Sequence, residues 1–208
     1  MPDRIVIIDY GMGNLRSVLN AFRVLGADAR VSANPSDLRD ADRAVLPGVG
    51  SFGDAMRNLR ERGWVSALET EVRTPRKPFL GLCLGMQLLA RTGSEHGTHE
   101  GLGWLDGSVD RLPETDSTIR IPHIGWNTVR FSAGNRLFRG LGEAGVFYFV
   151  HSYAMKPGDP AVASGTCSHG VEFTASVEQE NVFGTQFHPE KSQKIGLSVL
   201  RNFLQIES

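Results

Sequence analysis

The chain has 208 residues, of which 40% are apolar and 22% are charged, and its formal net charge is -1. This length and apolar fraction predict one globular domain over residues 1–208, and the nearly neutral balance gives no reason to expect binding to nucleic acid or to an anionic membrane. We expect a cytoplasmic protein with reduced thiols, because the sequence has no signal-peptide pattern, no membrane-spanning apolar run, and only two cysteines, Cys83 and Cys167, without CxxC spacing.

The first half of the chain alternates predicted strands with predicted helices. Residues 4–9 form a continuous apolar run, which is typical of a strand buried on both faces of a parallel sheet. Asn14 can then cap a helix whose apolar residues recur at helical spacing, and Gly26 is placed to end it. Further strands are predicted at residues 29–32, 43–46 and 78–82. This order predicts a three-layer, flavodoxin-like α/β fold with a mostly parallel, doubly wound sheet.

The second half of the chain is dominated by strand patterns. Strands are predicted at residues 108–112, 128–131, 146–153, 161–166, 173–177 and 182–187. With few helices between them, some of these strands should pair antiparallel, as additions to the sheet in the C-terminal half. Residues 93–103 are polar and predict an exposed loop, and a final helix is predicted from residue 192 to about residue 205.

A candidate nucleophile, Cys83, lies between two glycines in the segment at residues 81–87. The segment follows the apolar residues 78–80 and precedes the helix-like residues 86–90, so it has the layout of a nucleophile elbow, a sharp strand-to-helix turn. The dipole of the following helix would favour the thiolate form of the cysteine. The alternative is a buried cysteine in a tight turn.

A candidate base lies near the C-terminus, where His188, Pro189 and Glu190 follow a predicted strand. Pro189 favours extended angles at His188, and residues i and i+2 of an extended segment point the same way. Glu190 can therefore fix the orientation of the imidazole ring. A histidine oriented by a carboxylate and facing a cysteine is the arrangement of a catalytic triad.

A glycine-rich loop at residues 47–53 follows another predicted strand. Its glycines allow backbone N–H groups to point into a pocket, and acyl transfer to a cysteine needs such donors for the developing oxyanion. We expect the donors to be the N–H groups of Val49 and of Leu84, the residue after the nucleophile. The alternative is a simple strand-to-helix turn.

Together these segments resemble the triad-type (class I) glutamine amidotransferases. Residues 8–15, 47–56, 121–127, 147–153 and 187–192 narrow the resemblance to the glutaminase subunits of imidazole glycerol phosphate synthase, and it extends from about residue 5 to residue 204. It implies that Cys83 forms a glutamyl thioester, while His188, oriented by Glu190, protonates the departing ammonia and then activates water. It also implies a change in the loop at residues 47–50 when a partner binds its ribonucleotide.

The resemblance further implies a substrate site and a partner. Glutamine would contact Gly48, Gly50, Gln87, Ser152 and Tyr153, without a cofactor or a metal. The ammonia would pass to a cyclase subunit with a (β/α)8-barrel fold, which forms imidazole glycerol phosphate and aminoimidazole carboxamide ribonucleotide in histidine biosynthesis. The predicted interface residues of the heterodimer are His123, Trp126, Asn127, Tyr148 and Lys191. Trp126 could equally belong to the core.

Other interpretations have specific weaknesses. A dinucleotide-binding module is suggested by Gly11 and Gly13, but Arg16 stands where its third glycine would be. Gln87 and the His-Pro-Glu arrangement argue against a different cysteine hydrolase, such as a peptidase or a deglycase-like protein. Residues 121–127 argue against a glutaminase subunit that serves anthranilate, aminodeoxychorismate or pyridoxal phosphate synthesis. His96 and His99 lack the companions of a metal site.

Overall fold

The structure is a computed structural model that describes residues 3–115 and 118–207. The predicted domain also includes residues 1, 2, 116, 117 and 208, which lie outside the described residues. The first half of the chain forms these elements: β1 (Arg4–Ile8), α1 (Leu15–Val24), β2 (Asp28–Ser32), β3 (Arg43–Gly48), α2 (Phe52–Glu61), α3 (Trp64–Leu68), β4 (Phe79–Cys83) and α4 (Leu84–Gln87).

The second half is rich in strands, as predicted. Its elements are β5 (Thr92–Gly93), β6 (His99–Glu100), β7 (Gly107–Arg111), β8 (His123–Phe131), β9 (Ala144–His151), β10 (Tyr153–Pro157), β11 (Ala163–His169), β12 (Val171–Gln179), β13 (Val182–Thr185) and α5 (Gln193–Leu204). Short 3-10 turns cover Pro35–Leu38, Pro160–Val162 and Pro189–Lys191, and a π-helical turn covers Glu69–Arg73.

The main sheet has nine strands in the order β2-β1-β3-β4-β13-β12-β11-β8-β9. The pairs from β2 to β13 are parallel, whereas the pairs from β13 to β9 are antiparallel. The predicted α/β class, with a mostly parallel sheet and antiparallel additions in the C-terminal half, is therefore confirmed. Because β3, β4 and β13 are parallel neighbours, the segments that follow them meet at one edge of the sheet.

The two faces of the sheet are covered by different helices. Along β1, Ile5 and Ile7 pack into a core with α1 and α5, while Val6 and Ile8 pack into a second core with α2, α3 and α4. This alternation gives the three-layer arrangement, and burial of both faces explains the continuous apolar pattern of β1.

A second, four-stranded sheet has the order β10-β7-β5-β6, and it corrects two predictions. Residues 146–153 are not one strand: the chain changes sheets at Ser152, so β9 ends the main sheet and β10 pairs with β7. Residues 93–103 are not wholly a loop, because β5 and β6 form a short antiparallel pair there. Among the described residues, no helix combines the length and apolar character needed to cross a membrane.

Candidate active site

Cys83 is the last residue of β4 and lies in a sharp turn before α4. Its backbone has φ 53° and ψ -109°, a conformation that is strained for a residue with a side chain. Gly85, two residues further on, makes the turn possible, since a Cβ at this position would overlap the carbonyl oxygen of Leu46 on β3. The turn has the strand-to-helix geometry of a nucleophile elbow, and Cys83 is 7% exposed.

His188 and Glu190 form a buried pair at the 3-10 turn after β13. The distance from His188 Nδ1 to Glu190 Oε1 is 2.8 Å, and the two side chains are 4% and 2% exposed. The backbone N–H of His188 donates to the carbonyl oxygen of Tyr148 at 2.9 Å, and the Ser192 hydroxyl donates to the His188 carbonyl oxygen at 2.6 Å. The carboxylate therefore orients the ring through Nδ1, and the flanking bonds fix its backbone.

The surroundings of His188 favour its protonated form. Burial alone lowers the pKa of this histidine, but hydrogen bonding and charge attraction with Cys83 and Glu190 outweigh burial and raise the pKa above its usual value. Its Nε2 atom is buried, and among the described residues no group lies at normal hydrogen-bond distance and angle from it. An imidazolium beside the sulfur suits proton delivery to a leaving amine.

A pocket of about 300 Å³ opens beside Cys83. Most of the predicted oxyanion and substrate residues line it, namely Val49, Gly50, Leu84, Gln87, Ser152 and Tyr153. His188 and Glu190 do not line this pocket, and neither does Gly48. These three residues border a separate void of about 10 Å³, which is also lined by Val49. Val49 thus borders both spaces.

The loop after β3 is shaped for backbone approach. Gly50 has φ 105°, and a Cβ there would lie 2.6 Å from the Cε atom of Met12. Val49 is 43% exposed, although Gly48 before it is buried and pairs with Cys83 across the sheet. The buried hydroxyl of Tyr10 lies against Gly48 and has no partner among the described residues. Burial and the nearby Cys83 raise the pKa of Tyr10.

Gln87 is held by a network that sequence reasoning missed. Its Nε2 atom donates to the Tyr153 carbonyl oxygen at 2.8 Å and to Gln186 Oε1 at 3.0 Å. Gln186 in turn directs its Nε2 atom at Cys83 Sγ, at 3.6 Å. A signal for Gln186 was present, because the i, i+2 alternation that aligns His188 with Glu190 also includes residue 186.

The predicted interface residues divide between surface and interior. Trp126 is 50% exposed, which settles the alternative of a core position, and its ring centroid lies 5.9 Å from that of Tyr148. Lys191 Nζ lies 5.8 Å from the Tyr148 ring centroid, and Asn127 is half-buried. His123 differs from the prediction: it is 3% exposed and stacks on Phe149, so it presents almost no surface to a partner.

Two buried histidines connect this face with the pocket. His123 Nδ1 lies 3.0 Å from His151 Nε2, and His151 Nδ1 lies 2.9 Å from the Tyr153 carbonyl oxygen. Since that carbonyl only accepts, both rings form a directed chain of neutral imidazoles. Burial lowers the pKa of His123 to about 3 and of His151 to about 4. No group of three or more potential metal ligands occurs among residues 3–115 and 118–207.

The site combines an elbow cysteine, a histidine–carboxylate pair and a glycine-rich loop at the carboxyl edge of a doubly wound sheet, which is the arrangement expected of a class-I glutamine amidotransferase. The sequence model of that family, Glutamine amidotransferase class-I, matches residues 6–206. Solved structures show the same fold. The crystal structure of one glutamine amidotransferase superposes with a TM-score of 0.75 at 20% identity, and the match covers 96% of this chain and 97% of that one. PurLQS from Thermotoga maritima, covering 99% of both chains, has a TM-score of 0.72 at 22% identity.

Curated relatives narrow the family. Imidazole glycerol phosphate synthase subunit HisH 1 of Campylobacter jejuni (strain 81-176) is 46% identical over 97% of this chain and 100% of its own length. The HisH subunit of Moorella thermoacetica is 49% identical over 96% of this chain and 93% of its own. The chain belongs to the class-I glutamine amidotransferases, and within them to the imidazole glycerol phosphate synthase HisH subunits.

Proposed function

We propose that this glutamine amidotransferase hydrolyses glutamine at Cys83 and supplies the ammonia to an imidazole glycerol phosphate synthase. The observation that carries the proposal is the pocket beside the strained elbow of Cys83, together with the buried His188–Glu190 pair, whose hydrogen bonding and charge act on the same cysteine. A different acceptor, as in anthranilate synthesis, has no comparable support, because the curated relatives quoted above are HisH subunits.

The reaction follows from the groups around the sulfur. The Cys83 thiolate attacks the carboxamide carbon of glutamine, and the N–H groups of Val49 and Leu84 stabilise the oxyanion that forms. When the C–N bond breaks, His188 gives its proton to the nitrogen and ammonia leaves. His188 then takes a proton from water, the hydroxide displaces the thioester sulfur, and glutamate leaves. These groups supply a nucleophile, a proton carrier and anion-stabilising donors, which this hydrolysis requires.

We infer that the substrate is held by four further residues of the pocket lining and by Gly48. Gly48, Gly50 and Gln87 approach the glutamine from the sides of β3 and α4, and Ser152 with Tyr153 approach it from the β9–β10 junction. This assignment is supported by the position of four of these five residues in the pocket lining. Gly48 acts from beneath the loop, where its lack of a side chain leaves room for Tyr10 and Leu84.

We infer that the partner is a cyclase subunit with a (β/α)8-barrel fold and that it docks on the outer face of β8 and β9. Ile124, Trp126 and Val146 are 60%, 50% and 47% exposed, and clustered exposed apolar side chains mark protein interfaces. Tyr148 and Lys191 complete this face, and the Tyr148 carbonyl oxygen accepts from the His188 N–H group, so the face adjoins the catalytic base. Asn127 alternates to the opposite face of β8, where its amide lies 3.2 Å from His123 Nε2. Residues 1–208 would act as one cytoplasmic domain.

The Pro47–Gly50 segment is proposed as the switch that couples partner binding to catalysis. Glycines flank Val49, so its peptides can reorient at low cost. The partner would thereby bring the Val49 N–H group into the oxyanion position. A Gly50→Ala variant should lose partner stimulation, because a side chain is strained at φ 105° and contacts Met12. Full stimulation in that variant would contradict the switch.

The central experiment measures glutamate release from glutamine by the purified chain, alone and with the cyclase subunit loaded with its ribonucleotide. We expect low activity alone and a large increase with the loaded partner, and no activity in Cys83→Ala. An intact Cys83 without any increase would retain the amidotransferase class and refute the histidine-pathway partner.

A further inference from the structure

The Cys83 sulfur has a polar neighbour, Gln186, that the reaction above does not use. Gln186 is the first residue after β13 and is fully buried, and its Nε2 atom lies 3.6 Å from Cys83 Sγ. Besides its interaction with His188, the sulfur contacts the Val150 carbonyl oxygen at 4.0 Å, which is the limit of a hydrogen bond. Gln186 therefore supplies the closer polar contact of the two.

The orientation of the Gln186 amide is determined by its partners. The Tyr153 carbonyl oxygen only accepts hydrogen bonds, so the Gln87 atom facing it must be the NH₂ group. The second hydrogen of that group points at Gln186, which must answer with its carbonyl oxygen. The NH₂ group of Gln186 is then left facing the sulfur. A flipped Gln186 would set two NH₂ groups against each other and an oxygen against the sulfur.

The backbone carbonyl at the start of this chain of bonds is itself immobilised. Tyr153 lies on β10 and its oxygen also accepts from His151 Nδ1 at 2.9 Å, so both lone pairs are used. Gln186 is 0% exposed, so solvent does not compete for its side-chain amide. The donor that faces the sulfur is thus set by rigid structure.

We propose that Gln186 is a positioning residue for Cys83: its N–H group donates to the sulfur, holds it toward the pocket and favours the thiolate over the thiol. This inference rests on the proposed role of Cys83 as the nucleophile. A hydrogen bond to a charged acceptor is stronger than one to a neutral acceptor, so the contact is strongest in the thiolate and weakens once the thioester forms. Gln186 does not line the pocket, and without it Gln87 keeps its hydrogen bond to the Tyr153 carbonyl oxygen, so substrate binding should change little.

The test compares Gln186→Met with a matched control, Thr185→Val. Methionine keeps the approximate shape and removes the donor. Thr185 is equally buried, and its hydroxyl donates to the Phe187 carbonyl oxygen at 3.1 Å. The readouts are the pH dependence of Cys83 alkylation by iodoacetamide, which needs no substrate, and the kcat and KM of glutamate release with the loaded cyclase subunit.

We expect Gln186→Met to shift the alkylation midpoint upward by about one pH unit and to lower kcat about tenfold, with KM unchanged within about twofold. Thr185→Val should show the wild-type midpoint. An unchanged midpoint in folded Gln186→Met would overturn the proposal even if the wild type is an active glutaminase. Inactive wild type with a shifted midpoint would overturn the proposed function alone.

A measurement on the wild type covers the case in which the variants do not fold. The side-chain amide protons of Gln186 should move downfield in NMR spectra as the Cys83 thiol ionises, and they should stop responding to pH once Cys83 is alkylated. Amide resonances that ignore the ionisation of Cys83 would overturn the assignment.

Discussion

Replacing Glu190 with glutamine keeps the size of the side chain but removes the negative charge, which orients the His188 ring and stabilises its protonated form. The wild-type bond from Nδ1 to Oε1 measures 2.8 Å between side chains that are 4% and 2% exposed, so solvent scarcely screens it. A hydrogen bond to a charged group in such a site contributes roughly 1.5–3 kcal/mol, which corresponds to about one to two pH units in the ionisation of the histidine.

The loss of activity should exceed that ionisation effect. A glutamine amide can also donate to Nδ1, which would stabilise the wrong tautomer of His188, and changes of this kind in catalytic triads cost up to about 10⁴-fold in kcat. We therefore expect kcat for partner-stimulated glutamate release to fall by roughly 10²- to 10⁴-fold, with little change in KM. As the pH is raised, the variant should also lose activity at a lower pH than the wild type does. Without the carboxylate the pKa of His188 is lower, so the imidazolium is lost earlier.

The control for this experiment is Glu178→Gln. Glu178 is a largely buried carboxylate that pairs with Arg136 at 2.7 Å and does not line the active-site pocket. Its replacement should lower the free energy of unfolding and leave kcat within about twofold. Glu190→Gln enzyme with kcat within threefold of wild type would refute the argument that the buried carboxylate sets the state of His188.

Three further predictions concern the elbow, the partner face and acid sensitivity. Gly85→Ala should lower the free energy of unfolding by at least about 3 kcal/mol in urea titrations, because its Cβ would overlap the Leu46 carbonyl oxygen; near-wild-type stability would contradict this. Trp126→Ala should weaken cyclase binding about 30-fold in calorimetry and change unfolding by less than about 0.5 kcal/mol, whereas unchanged affinity would exclude this face. Burial lowers the pKa of His123 to about 3 and that of His151 to about 4. On acidification below about pH 6.5 these histidines therefore bind protons in the unfolded chain before they do so in the folded protein. The free energy of unfolding should fall by up to about 1.4 kcal/mol per pH unit per histidine until the folded-state pKa values are reached. Ring resonances that titrate near pH 6.5 in NMR spectra would contradict that sign.

The parts of the fold that sequence patterns predicted are those with strong local signals. β1 has a continuous apolar run. α1 has apolar residues at helical spacing and a side-chain cap, in which Asn14 Oδ1 accepts a hydrogen bond from the Ser17 N–H group. α2 has the same signals, since Ser51 caps it and Phe52, Met56 and Leu59 recur at helical spacing, but the glycine-rich segment before it predicts a loop and masks the start of the helix.

Other elements lacked a local signal. α3 begins after Gly63 without a side-chain cap and passes directly into the π-helical turn at Glu69–Arg73. The division of residues 146–153 between two sheets also depends on distant partners. The Ser152 carbonyl oxygen accepts from Leu112, and β10 then pairs with β7. Alternation along a single segment cannot reveal such a change of partner.

The candidate site separates in the same way into local and assembled parts. The elbow around Cys83 and the His188–Glu190 pair are each encoded within a few residues, so their residue types and spacing sufficed to predict them. The contact between Gln186 and Cys83 joins residues 103 positions apart and exists only because β13 lies beside β4. A side chain whose role depends on that pairing has no signature within its own segment beyond pointing the same way as His188.

The position of His188 depends on two strands that are distant in the order of the sheet. His188 follows β13, the neighbour of the strand that carries Cys83, yet its backbone N–H group is bonded to Tyr148 on β9, at the sheet edge. Ser192 strengthens this link, because its hydroxyl accepts from the Tyr148 N–H group at 3.0 Å and donates to the His188 carbonyl oxygen. The sheet therefore curls so that the turn bearing the base covers part of its own edge strand, which also protects that edge from pairing with another chain. Tyr148 is also part of the exposed face with Trp126. Cys83 is therefore held by the central strand β4, whereas His188 is held both by the central strand β13 and by the edge strand β9 that carries this face.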